Sequence, residues 1–327
     1  MKRIFSVLDV WLVSSIILLG QSKEPQQVYS GSGSVTRNKA TTTVTNLFES
    51  GIRVAAFGTI KSSDNKTWTV PAIVAFSDPT FPFAPDLYNE YVSGHTYNSN
   101  REAEQALSES DIIKIDKDGS VFTAYVFADN YFEMYVNGVP VGKDAVPYTA
   151  FNSSVIRFQV KKPFTVAVKC VDWEENLGLG TERMGDDPQH IGDGGFVAVI
   201  KNSLGGIDAV TDASWKAQTF YTAPIADLSC LKEENGFRYS NQCEGTSGKP
   251  DSYGIHWDIP ANWFSPSFND SAWPQASLYS NQTVGVDNKP AYTNFTNVFD
   301  DPQQDAGFIW STNLLLDNLV LLRRTVK

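Results

Sequence analysis

From Ser120 onward the chain is a close succession of short apolar runs, each cut off by glycine, proline, asparagine or aspartate. They read SVFTAYVFA, NYFEMYVNG, SVIRFQV, FTVAVKCVDW and GGFVAVIK. Valine, threonine and aromatic residues dominate them, and these side chains pack well on a pleated sheet. Many short strands with regular turn signals imply an all-β protein with a β-sandwich or jelly-roll architecture and little helix. Only REAEQALSES, residues 101–110, reads as a helix. SDPTFPFAPDLYNEYVSGHTYNSN, residues 77–100, reads as a long irregular loop because proline, asparagine and glycine crowd it.

The most legible stretch is ADNYFEMYVNGVPVG, residues 128–142. Phe132, Met134 and Val136 alternate with Tyr131, Glu133 and Tyr135, so one strand face is apolar and the other amphipathic. Asn137-Gly138 is a strong hairpin signal, since both residues tolerate positive φ. The reading places the apolar set in the core and Tyr131, Glu133 and Tyr135 on the opposite face, where a ligand could lie.

At the N-terminus, Lys2 and Arg3 precede an apolar run to Leu19, with Gly20 and Ser22 as small residues for cleavage. Residues 1–22 thus read as a secretory signal, although Asp9 interrupts the run and leaves an uncleaved anchor open. Residues 23–39 are polar and rich in glycine and serine, which suggests a flexible lead-in. Gly205-Gly206 punctuates the remainder into two sandwich-like units, 40–206 and 207–327. The C-terminal NLLLDNLVLLRRTVK is too short to span a bilayer, holds Asp317, and reads as a strand.

Secretion permits disulfides. Cys230 and Cys243 flank a polar loop and are the expected pair. Cys170 alternates with Val166 and Val168 and reads as a buried free thiol. Sequons at Asn65, Asn152, Asn269, Asn281 and Asn294 are surface glycosylation candidates in a glycosylating host. A formal net charge of −11 argues against nucleic acid and anionic lipid surfaces, which need basic patches. It suits an extracellular protein that binds cations.

The hairpin sequence resembles the Ala-Asp-Asp/Asn-x-Phe-x-Leu-Tyr-Val-Asn-Gly strand pair of galactose-binding-like β-sandwich domains. FNDSAWPQA, residues 268–276, resembles their Phe-Asp-Asp-Ser-x-Trp-Pro-x-Ala segment. In that superfamily the second motif precedes the first within one domain, whereas here it follows far downstream. The resemblance implies a sandwich module of the kind that accompanies secreted glycosidases and lectin-like proteins. That superfamily holds binding and structural modules alike, so the fold does not name the function.

Three groups of residues could carry chemistry. VDWEENLGLGTE, residues 171–182, sets Asp172, Glu174, Glu175 and Glu182 around Trp173. Paired carboxylates can perform glycosidic acid–base work, and the same oxygens can hold Ca²⁺. A solvated acidic loop explains them equally. MGDDPQHIGDGG, residues 184–195, adds Asp186, Asp187, His190 and Asp193. The candidate site for a structural Ca²⁺ is Asp172, Glu174, Glu175 and Asp193. With histidine only at 95, 190 and 256, a multi-histidine zinc site is not expected. Tryptophans form the third group: Trp215, Trp257, Trp263, Trp273 and Trp310 each read first as core, and Trp263 and Trp273, in loops rich in proline, serine and asparagine, are the best candidates for exposed sugar platforms.

Together these features predict a secreted, non-catalytic protein that binds carbohydrate or other extracellular proteins at a surface or matrix. One alternative is a subunit of an extracellular filament or layer, self-assembling by strand addition. Another is a glycoside-active enzyme using the carboxylates near Trp173.

Overall fold

The computed structural model describes residues 29–48, 54–147, 151–180, 194–246 and 251–327, and the backbone of a short pair, Arg183–Met184 with Asp187–Pro188. The expected signal segment lies outside the described residues. The remainder is mostly strand with little helix, as the apolar runs predict.

Two large sheets form the body. The seven-stranded sheet runs, in spatial order, Ser34–Arg37, Tyr253–His256, Lys216–Ile225, Asp317–Val326, Phe164–Val171, Tyr131–Val136 and Val139–Lys143. The eight-stranded sheet runs Ser277–Tyr279, Phe308–Trp310, Gly195–Asn202, Ser120–Asp129, Ser153–Val160 and Asp86–Tyr88. Ile207–Val210 pairs alongside Gly195–Asn202, and Ile112–Lys114 lies parallel to Ser153–Val160.

Both sheets interleave strands from before and after Gly206, which corrects the expected two-unit division at 206/207. A glycine pair punctuates the local chain, but strand partners are chosen by non-local pairing. Asp317 shows how tightly the parts join. Buried, it accepts hydroxyl hydrogen bonds from Thr219 (2.9 Å), Thr222 (2.6 Å), Ser240 (2.8 Å) and Ser311 (2.6 Å). Burial raises its pKa, and these hydroxyls oppose that shift.

The hairpin forms as predicted. Asn137 and Gly138 take φ of 48° and 83°, and Val136 pairs with Val139 across the turn. Phe132, Met134 and Val136 enter the core between the sheets with Val166, Val168 and Cys170. Phe122 meets Phe164 at 4.9 Å between ring centroids, joining the two layers.

The outer face of the seven-stranded sheet is also covered, and that of the eight-stranded sheet is covered at one end. Loops carry Ala72, Trp173, Leu228, Trp257 and Trp263 over the seven-stranded sheet. Helical turns at Asn281–Val284, Pro290–Thr293 and Thr296–Phe299 cover one end of the other sheet, with Tyr292 edge-on to Phe127 at 5.7 Å. These single turns carry no legible helical period. The expected helix forms over Asn100–Ala106, capped by Ser99, and stops where Leu107 turns extended.

For residues 29–39 the lead-in expectation is corrected as well, while residues 23–28 lie outside the described residues. Ser34–Arg37 is an edge strand registered on Tyr253–His256, and Ser32 donates to Glu233 through Oγ at 2.7 Å. Polar composition there reflects partnered side chains rather than a free tail.

Candidate functional site

The residues expected to face a ligand on the hairpin are enclosed. Tyr131 and Glu133 are fully buried, and Tyr135 is half-buried, stacked on Phe264 at 4.8 Å. Glu133 pairs with Lys169 at 2.7 Å and accepts from Ala75 N and from Tyr131 Oη. Lys143 donates to the carbonyls of Ala75, Phe76 and Asp78, each at 2.8 Å. These contacts bind the 73–78 loop onto the face that was expected to be open. Trp263 and Trp273 are 4% and 7% exposed, so neither is the expected platform. Trp273 instead packs on Phe268 and Phe220, and Arg323 donates to the Trp263 carbonyl.

The acidic segment around Trp173 is interior. Asp172, Glu174 and Glu175 are buried, and Glu175 accepts from Gly178 N at 2.8 Å. Among the described residues no group of three or more histidine, cysteine, aspartate or glutamate side chains converges as a metal set. Glu182, Asp186, His190 and Asp193 lie outside the described residues, as does the side chain of Asp187.

The disulfide forms between Cys230 and Cys243, Cα atoms 5.0 Å apart, and Cys170 is a buried free thiol whose pKa burial pushes up. Asn65, Asn269 and Asn294 are exposed, and Asn281 is half-buried. Asn152 is corrected as a glycan acceptor. It is 3% exposed, and its Nδ2 donates to buried Asp144 at 2.7 Å. Burial holds the Asp144 carboxyl up at about 8.

Two concavities among the described residues stand open. The smaller, about 220 Å³, is lined by Ser32, Ser34, Lys66, Trp68, Arg238 and His256, among others. Its rings are already engaged. His256 is stacked between Trp68 and Tyr221 at 5.0 and 4.5 Å, and Lys66 sits over Trp68. Burial pushes the His256 pKa down to about 3.

The larger is a groove of about 580 Å³ on the outer face of the eight-stranded sheet. Strand Ser120–Asp129 turns Phe122, Ala124 and Val126 into the core and leaves Val121, Thr123 and Tyr125 outward. Register then sets the groove floor. Thr123 lies opposite Arg157 on one neighbouring strand and Lys201 on the other, and Arg157 lies opposite Ile112. Directly opposed residues share a face with Cβ atoms about 5 Å apart. Helix Asn100–Ala106 walls one side, bringing Arg101, Glu104 and Gln105. The Tyr125 hydroxyl fixes it to the sheet by donating to Glu104, and Asn100 Nδ2, within the helix, donates to the same oxygen at 2.9 Å. Burial and this contact raise the Tyr125 pKa well above the usual phenol range. The turn after Lys201 closes another side with Asn202, Ser203 and Gly205.

Sequence reasoning missed this groove. The available signal was a single charge in an otherwise apolar run, Arg157 in SVIRFQV and Lys201 ending GGFVAVIK. No family model matches the chain, and no curated protein or solved structure matches it. Among the described residues no helix is long and apolar enough to cross a membrane.

Proposed function

We propose that the chain is a secreted, non-catalytic β-sandwich protein that binds carbohydrate in the groove over Thr123. The observation that carries this reading is the strand-borne row Arg157, Thr123 and Lys201, walled by Gln105, Glu109 and Asn202. Sugar hydroxyls both donate and accept, and guanidinium, amide, hydroxyl and carboxylate groups offer complementary partners on a rigid floor. Support for secretion comes from the N-terminal signal pattern and the Cys230–Cys243 disulfide. The antiparallel sandwich and its Asn-Gly hairpin support the galactose-binding-like resemblance.

The two alternatives find less support. A glycosidase needs carboxylates facing substrate, and Asp172, Glu174 and Glu175 are buried. Strand addition needs a free sheet edge. One outer strand of the seven-stranded sheet is met by Pro82 and Ala84 at Lys143, and the other by Ser63 at Val35.

A glycan array followed by titration calorimetry, with and without EDTA, tests the reading. Binding is expected in the millimolar to micromolar range and is lost in Thr123→Trp, which fills the groove floor. Absence of glycan binding at millimolar sugar, or full binding by a folded Thr123→Trp, overturns it. Loss of binding or of thermal stability in EDTA is the outcome expected if Ca²⁺ is a structural ion.

A further inference from the structure

We infer that the groove selects acidic saccharides, those bearing a carboxylate or sulfate. This rests on the carbohydrate reading above and narrows it. Three cations, Arg101, Arg157 and Lys201, line the groove, against two carboxylates, Glu104 and Glu109. The molecule as a whole carries a formal net charge of −11, so a locally positive concavity is contrary to its overall balance.

The state of these charges decides what they can do. Among the described residues, none of the three cations lies within 4 Å of a carboxylate, although Lys66, Lys161, Lys162, Lys169 and Arg323 all do; Lys201 sits 5.7 Å from the Tyr125 ring centroid, and Arg157 and Lys201 act only at longer range on Asp111 and Asp301. Glu104 is already engaged by Tyr125 and Asn100. Arg157 and Lys201 are half-buried and sit on either side of Thr123. The two stand two strands apart on one sheet face, with about 10 Å between their backbones, so an anion over Thr123 can lie between both charges. The guanidinium offers a planar fork to a carboxylate or sulfate, and the ammonium offers a point charge beside it.

No aromatic face lies open in the groove. Tyr125, its one ring, is 3% exposed. Stacking on the apolar face of a neutral sugar therefore has no platform here, and charge must carry the recognition.

The test measures binding of the full chain by titration calorimetry to a galacturonic acid trisaccharide, a sulfated galactose trisaccharide, a neutral galactose trisaccharide and sodium sulfate. At least one acidic trisaccharide is expected to bind at least tenfold tighter than the neutral one and to weaken with added salt. Which of the two does so distinguishes carboxylate from sulfate recognition. Arg157→Gln and Lys201→Gln are each expected to weaken it about tenfold, the loss of one charge-assisted hydrogen bond. Lys161→Gln, which removes an exposed charge outside the groove, leaves binding unchanged, and melting curves confirm that each variant folds. Equal binding of neutral and acidic sugars overturns this inference while the carbohydrate reading stands. Sodium sulfate binding as tightly as the sulfated sugar also overturns it, since the groove would then be an ion site. Binding of no sugar removes both readings.

Discussion

Glu133→Gln is a sharp test of how the outer face of the hairpin is held. Register places Glu133 between Lys143 on one neighbouring strand and Lys169 on the other. Its side chain is wholly inaccessible and that of Lys169 is 13% accessible, with 2.7 Å between them. Lys169 also donates to the Ile73 carbonyl at 3.1 Å. The substitution keeps volume and one acceptor, so contacts to Ala75 N and Tyr131 Oη can persist. It removes the charge and leaves two ammonium groups beside a neutral amide. Removing one partner of a buried pair costs about 3–5 kcal/mol, and retention of the acceptor argues for about 3 kcal/mol. In a chain this long, where each kcal/mol shifts the melting temperature by about 2 °C, the midpoint falls by roughly 6 °C. Calorimetry or urea unfolding reads this directly. Lys169→Met in the Glu133→Gln background should recover part of the loss, because the unpaired ammonium goes with it. A midpoint within about 1 °C of the parent would refute the buried-pair account and return Glu133 to an open face.

Other outcomes follow from the same structure. His256 has a folded pKa of about 3 against about 6.5 unfolded, so the unfolded chain takes up the proton first. Its contribution is intact above pH 6.5 and is lost as pH falls toward 3, at about 1.4 kcal/mol per pH unit. The melting temperature of the parent should therefore drop more steeply than that of His256→Gln between pH 6 and 4; parallel curves would refute this. Thiol labelling of the denatured, unreduced protein should modify Cys170 alone, and the native protein should not react there; labelling of Cys230 or Cys243 would remove the disulfide. Peptide mapping after expression in a glycosylating host should find Asn152 bare in the folded fraction, and a glycan there would contradict its burial against Asp144.

What the amino-acid order determined by itself is local. Period-two alternation and β-branched composition mark the strands, and Asn137-Gly138 supplies the backbone angles of a two-residue turn. The core side of Phe132, Met134 and Val136 followed from alternation alone, as did the burial of Cys170. A disulfide between Cys230 and Cys243 was legible because they flank a polar loop in a chain that reads as secreted.

The rest depended on which segments meet. Alternation separates two faces of a strand but does not say whether loop or solvent covers the second. The 73–78 loop, distant in sequence, arrives over Glu133, and so a predicted ligand face became interior. Trp263 and Trp273 have the polar neighbours of exposed residues, yet Arg323 of the last strand and Phe220 draw their segments inward. The groove is the extreme case. Arg157, Thr123 and Lys201 stand on three strands and become neighbours only through register. A one-residue slip would put each of them on the opposite face, and pairing of distant strands is settled by the packing of the whole sheet.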